Sequence, residues 1–157
     1  TQTAVDYQND SKTLPIPWVS AISKSGEQYP KGERAALMDV YFKDYVNPTS
    51  QAPRSYSGQE YGLEVYRFFG GTAPPPQNSW DKEEVYVRRD TTGEITTIII
   101  CANNPNFAVN FCTQNFYMPK NQMKAFLGVQ YPRAYLPEWQ KIEQHTITIL
   151  NGFALTH

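Results

Sequence analysis

Two cysteines and the turn between them constrain this chain more than any other feature. Cys101 and Cys112 are the only thiols in 157 residues. The run Asn103-Asn104-Pro105-Asn106 follows the first of them, and Asn and Pro are turn formers. On either side lie segments rich in β-branched and aromatic residues, 93–100 and 109–117, which fit a pleated surface. A hairpin about that turn sets Cys101 opposite Cys112. Two buried free thiols are the alternative; the hairpin geometry favours a single disulfide, which for so short a loop contributes roughly 3 kcal/mol. The spacing is neither a CxxC redox pair nor a zinc site, since only His145 and His157 could complete a four-ligand set. A disulfide implies an oxidising compartment. The chain opens on Thr1-Gln2-Thr3 without Met, as a mature or trimmed form does.

Periodicity organises the remainder. Residues 1–13 are polar and read as a loose N-terminal segment, and Leu14-Pro15-Ile16-Pro17-Trp18-Val19 reads as an apolar arm, because its prolines exclude a helix. Residues 33–45 fit a helix through Leu37, Val40, Tyr41 and Tyr45 as well as a strand through Ala36, Met38, Val40 and Phe42. The run Val40-Tyr41-Phe42 favours the strand. A loop rich in Pro, Ser and Gln covers 47–58, and a strand is expected over 62–69, ending at Gly70-Gly71 before Pro74-Pro75-Pro76. Segments 84–89 and 93–100 read as strands joined by the turn Asp90-Thr91-Thr92-Gly93. The isoleucines at 98, 99 and 100 predict a central strand covered on both faces. A further strand spans 123–131 and stops at Pro132.

At the C-terminus Pro137 and Glu138 suit a helix start, and Trp139, Ile142, Thr146, Ile149, Leu150 and Phe153 recur as one apolar stripe. Gln140, Lys141, Glu143 and Gln144 fall opposite, and Asn151-Gly152 offers a stop. The expected architecture is one α+β domain over 1–157, an antiparallel β-sheet with one C-terminal amphipathic helix packed on it.

Several function classes fall away. A net charge of −1 supplies no field for nucleic acid, and Arg88-Arg89 is too small a basic patch to replace one. No stretch approaches the roughly 20 apolar residues of a membrane-spanning helix. The motifs GxSxG, HExxH, GxGxxG and the P-loop are missing, and His145 falls on the flank of the predicted helix. The acids of Asp81-Lys82-Glu83-Glu84 read as a solvated strand start, without the ligand spacing of a calcium loop. No metal or cofactor is expected. Aromatic residues make up 14% of the chain. Tyr66 and Phe68 read as cover for the core, while Tyr56, Tyr61, Phe69 and Trp80 lie in or beside loops 47–61 and 70–81. Rings in polar loops on a rigid scaffold fit a binding module better than a catalyst.

The second half of the chain carries an ordered set of short motifs. Val85-Tyr86-Val87-Arg88-Arg89-Asp90 and Gly93-Glu94-Ile95-Thr96 lead to Ile100-Cys101, and Phe111-Cys112 and Phe116 follow. Then come Gly128-Val129-Gln130-Tyr131-Pro132-Arg133, Leu136-Pro137-Glu138-Trp139 and Ile142-Glu143. This order resembles the small periplasmic or lipoprotein-anchored immunity proteins encoded beside type VI secretion effectors, especially those that guard against lipase effectors. In that family pattern a Pro stands two residues before the second cysteine and a His two after it; this chain has Asn110 and Gln114 there. The resemblance implies a periplasmic, non-enzymatic inhibitor, with a possible lipid anchor upstream of Thr1, whose partner is a secreted toxic hydrolase of the lipase class. Tyr56, Tyr61, Phe69 and Trp80 are then the expected contact rings, with Asp81 and Glu83 as rim charges steering the encounter. Two rival classes are a peptidoglycan- or carbohydrate-binding module stacking these rings on sugars, and a small enzyme built on Glu83, Glu84 and His145.

Overall fold

The computed structural model describes residues 20–25, 34–48, 53–68, 83–119 and 122–154. The expectations for residues 1–13 and for the apolar arm at 14–19 lie outside these. Seven strands, β1 (Ser20–Ser25), β2 (Ser55–Glu60), β3 (Leu63–Arg67), β4 (Glu83–Arg89), β5 (Ile95–Ala102), β6 (Phe111–Tyr117) and β7 (Ala125–Pro132), form one antiparallel sheet in the order β1-β7-β6-β5-β4-β3-β2. From β2 to β7 each strand pairs with the next in sequence, and β1 adds itself to the outer side of β7. Helix α1 (Arg34–Val46) precedes β2, and a 3-10 turn (Arg133–Glu138) leads from β7 into helix α2 (Trp139–Ala154).

The isoleucine strand β5 occupies the middle of the sheet, as expected, and both of its faces are covered. Ile99 and Cys101 join Tyr86, Phe116, Leu127, Val129 and Tyr131 beneath Trp139 and Ile142 of α2. On the opposite face Ile95, Ile98 and Ile100 join Val85, Val87 and Phe126 beneath Met38 and Val46 of α1. Near its start β5 carries a bulge, since Arg88 pairs with Thr97 and Arg89 with Ile95, leaving Thr96 as the extra residue. That slip turns Ile95 to the α1 side. The turn before it forms as expected: the Asp90 carboxylate accepts bonds from Thr92 N (2.8 Å), Thr92 Oγ1 (2.6 Å) and Glu94 N (3.1 Å), and Gly93 takes φ +86°.

Where a strand was expected over 33–45, residues Arg34–Val46 form a helix. Its buried stripe is Met38 and Val46 with Tyr41, Phe42 and Tyr45 partly covered, a three- and four-residue rhythm. A strand would have turned Val40 inward together with Met38, yet Val40 is 53% exposed. The local preference of Val-Tyr-Phe for strand yields to packing, because the apolar α1-side face of β4 and β5 needs a cover. Tyr41 stacks on Phe126 at 5.5 Å and Phe42 meets Tyr66 edge-on at 5.1 Å.

The loop expected over 47–58 likewise gives way to strand β2 from Ser55. Its polar residues hid it, but an outermost strand needs no alternating apolar face. One residue of excess between Tyr56 and Gln59 bulges the strand, with Gly58 at φ +108°. Tyr61 and Gly62, both at positive φ, form the two-residue turn into β3. The non-glycine Tyr61 is held there by the indole of Trp139, whose Nε1 donates to the Tyr61 carbonyl at 3.0 Å.

Helix α2 starts at Trp139 and runs through the expected stop at Asn151-Gly152 to Ala154. Its inward stripe is also rotated from the expected one: Ile147 is buried and Phe153 is exposed. The rotation brings Glu143, expected on the outer side, against the sheet.

Cys101 and Cys112 face each other across β5 and β6 in a disulfide, and both are fully buried. The Cys101→Ala/Cys112→Ala protein is expected to lose about 3 kcal/mol of unfolding free energy in urea titrations. A loss below about 1 kcal/mol would mean that the sheet sets this pairing without the bridge.

Candidate functional site

The loop between β5 and β6 is built from its asparagines. Asn104 Oδ1 accepts from Asn106 N at 3.0 Å and the Asn104 carbonyl from Phe107 N at 3.1 Å, which closes a turn around Pro105. Asn110 completes a reciprocal clasp: its Oδ1 accepts from Asn104 N at 2.9 Å, and its Nδ2 donates to the Asn104 carbonyl at 3.1 Å. The Asn110 carbonyl accepts from Arg133 N at 2.8 Å, tying the loop to the exit of β7. Below this clasp sits the disulfide. Above it Phe107 is 51% and Val109 50% exposed. From 95 to 119 the chain has no ionisable side chain apart from Tyr117 and the bridged cysteines. The hairpin therefore ends in an uncharged apolar tip on a rigid polar base. Sequence reasoning placed the turn but missed Phe107 and Val109 as surface; two lone apolar residues amid asparagines were the available signal.

A charged cluster adjoins the base of this loop. Glu84, expected to be solvated, is only 8% exposed. Its carboxylate accepts from Arg67 Nε (2.9 Å), Tyr86 OH (2.7 Å), Asn103 Nδ2 (2.9 Å) and Arg133 Nη2. Arg67 also donates to Glu60 at 2.7 Å, and Arg133 Nη1 to the Ala102 carbonyl at 3.0 Å. Burial alone would raise the Glu84 pKa, but the bonds from Arg133, Tyr86 and Arg67 outweigh it and hold the group down to about 2. A carboxylate so saturated with donors is a poor general base. Tyr86 moves upward through burial and the neighbouring Glu84 charge.

A second polar network lies under α2. Glu143 accepts from Thr97 Oγ1 at 2.9 Å and Gln114 Nε2 at 2.8 Å, while Gln114 Oε1 accepts from the buried Tyr131 hydroxyl at 2.8 Å. Burial raises the Glu143 pKa against the opposing pull of those two bonds and of Arg88. Asn110 and Gln114, the two departures from the family pattern, are thus the clasp of the loop and the hub of the inner network.

The remaining site expectations fall as follows. Tyr56 is 58% and Tyr61 51% exposed, and both stand on the β2 side of the sheet, in a strand and a tight turn rather than in a long loop. Glu83 is half-buried, not an open rim charge: its Oε2 lies 3.9 Å from Arg54 Nη2, and Arg54 Nε donates to the Glu83 carbonyl at 3.0 Å. Arg54 itself is buried over the ring of Phe68, which serves the interior as expected. Phe69, Trp80 and Asp81 lie outside the described residues. His145 is exposed on α2. Among the described residues no group of His, Cys, Asp and Glu is arranged to hold a metal ion, and no helix is long and apolar enough to cross a membrane.

The two networked carboxylates, buried Glu84 and partly buried Glu143, give opposite pH signatures. An acid with a lowered folded pKa stabilises above its ordinary value and loses that contribution as pH falls through the folded value. Glu84 therefore contributes fully above its ordinary 4.5 and nothing below about 2. Glu84→Gln should cost about 2 kcal/mol at pH 7 by taking the shared counter-charge from the partly exposed Arg67 and Arg133, with the deficit shrinking across that window in pH-resolved denaturant titrations. For Glu143 the raised pKa means stability that is present when protonated and lost as pH rises. Glu143→Gln should accordingly raise Tm at pH 7 and give no advantage below the carboxylate range; a lower Tm at pH 7 would contradict the assignment.

No family model and no curated protein sequence matches the chain at a significant level. Among solved structures, the chain is similar to Smlt3025, an immunity protein of the Stenotrophomonas maltophilia type IV secretion system. The TM-score is 0.57 at 16% identity, covering 90% of this chain and 72% of that one. The two share a fold. The secretion system of that protein is type IV, where the sequence resemblance points to type VI.

Proposed function

We propose that this chain is an immunity protein, a non-enzymatic inhibitor that binds a secreted toxic effector and blocks its active site. The observation that carries the reading is the fold held in common with Smlt3025 over 90% of the chain. The buried disulfide supports it, since such a bond suits an exported protein in an oxidising compartment such as the periplasm. The toxin class comes from the sequence resemblance: a lipase delivered by a type VI system. Inhibitors of this kind bury on the order of 1,600 Å² in total with their target, well within reach of one face of an 18 kDa domain. We place Tyr56 and Tyr61 at that contact, with Phe69, Trp80 and Asp81 from the neighbouring segment. Glu83 acts behind them by holding Arg54.

Expression of the product of the open reading frame beside this gene, directed to the periplasm, is expected to arrest growth alone and to permit it when this chain is co-expressed. Tyr56→Ala/Tyr61→Ala should weaken binding at least tenfold, as loss of aromatic anchors does. Full toxicity in the presence of the wild-type protein would dismiss the immunity role. Protection against a type IV effector, but not against a type VI lipase, would keep the role and replace the toxin class.

A further inference from the structure

We infer that the β5–β6 loop is the element that enters the partner, with Phe107 and Val109 forming a preformed wedge for an apolar, uncharged cleft of the kind that accepts hydrocarbon chains. This rests on the immunity reading and names the chemistry of the surface that the inhibitor meets. Neither residue belongs to the two core clusters. Both nonetheless stand half out of water, at 51% and 50% exposure, two positions apart on one tip. Burying the exposed half of each ring or branch in a partner removes that apolar surface from water and favours association.

Three features of the loop favour that use over an accidental exposure. The first is rigidity. Hairpin tips are usually mobile, and ordering one on binding costs conformational entropy at every residue fixed. Here the Asn104–Asn110 clasp, the Arg133 N–H to the Asn110 carbonyl and the disulfide have already set the conformation. The second is neutrality: residues 102–115 include no Asp, Glu, Lys, Arg or His, so the tip enters a dry site without desolvating a charge. The third is the rim. Asn103 and the partly exposed Arg67, Glu60 and Arg133 border the base on the Glu84 side, with their charges matched to one another and to Glu84. An apolar centre inside a polar rim is the usual anatomy of a specific interface. A charged cleft would find no complement on this tip.

The test uses the full chain and the purified product of the open reading frame beside its gene, the candidate toxin. Phe107→Ala/Val109→Ala and Phe107→Asp fall outside both core clusters, so the disulfide mass should match wild type and Tm should stay within a few degrees of it. Calorimetry is expected to show wild-type binding and at least a 100-fold rise in Kd for either variant, with parallel loss of toxin inhibition. Dodecanoate, filling the apolar cleft, should compete with the wild type. Wild-type binding with variant Kd values within threefold would overturn the wedge while leaving the immunity reading intact. Absence of wild-type binding would overturn both. Co-sedimentation of the wild type, but not of the variants, with phosphatidylcholine–phosphatidylglycerol vesicles would assign the tip to a membrane and also overturn the wedge.

Discussion

The pairing of β5 with β6 is the constraint from which the rest of the molecule takes its positions. The strand of isoleucines runs through the centre of the sheet, and Cys101 and Cys112 lock its register to the next strand. A one-residue slip would turn every side chain to the opposite face. Both faces of β5 are apolar, so each requires a helix. α2 meets one through Trp139 and Ile142, and α1 meets the other through Met38 and Val46. The same lock holds the end of the hairpin, so the interior and the exposed tip share one physical cause.

Two carboxylates taken into this frame, Glu84 and Glu143, are each held in a hydrogen-bonded network. Glu84 is met by four donors from β3, β4, the β5–β6 loop and the exit of β7, which joins the sheet at the end that bears the loop. Glu143 reaches from α2 to Thr97 and Gln114, which orients the helix on the sheet. Neither site is a net source of large stability, because desolvation opposes the pairing. What they supply is position. The two networks also differ in sign, one carboxylate held charged by its donors and the other discouraged from charging by burial.

The elements readable in the sequence were those whose local pattern and tertiary role agree. The cysteine hairpin, the Asp90 turn, the central isoleucine strand and the C-terminal helix all carry strong local signals, and all are present. The failures come where tertiary context decides. Residues 33–45 scored alike as helix and strand, and only the uncovered face of β4 and β5 selects the helix. β2 is too polar to announce itself, because its place at the sheet edge asks for no apolar face. Glu84 looked like surface since its partners Arg67 and Arg133 lie 17 and 49 residues away. Of the expected contact rings, Tyr56 and Tyr61 are exposed, but the apolar tip at Phe107 and Val109 went unread, since exposure of an isolated Phe or Val leaves no periodic trace.

The proposed function draws on two parts of the surface: a bridged hairpin supports an uncharged apolar tip, and the β2 edge, three strands from β5, carries two exposed tyrosines. The claim that depends on nothing else is that the tip is already ordered in the free protein. Backbone 15N relaxation on the unbound, oxidised chain measures this directly at the amides of Asn106, Phe107 and Ala108. The account predicts order parameters near 0.85, the level of rigid backbone; values below about 0.6 would show a flexible loop and contradict it.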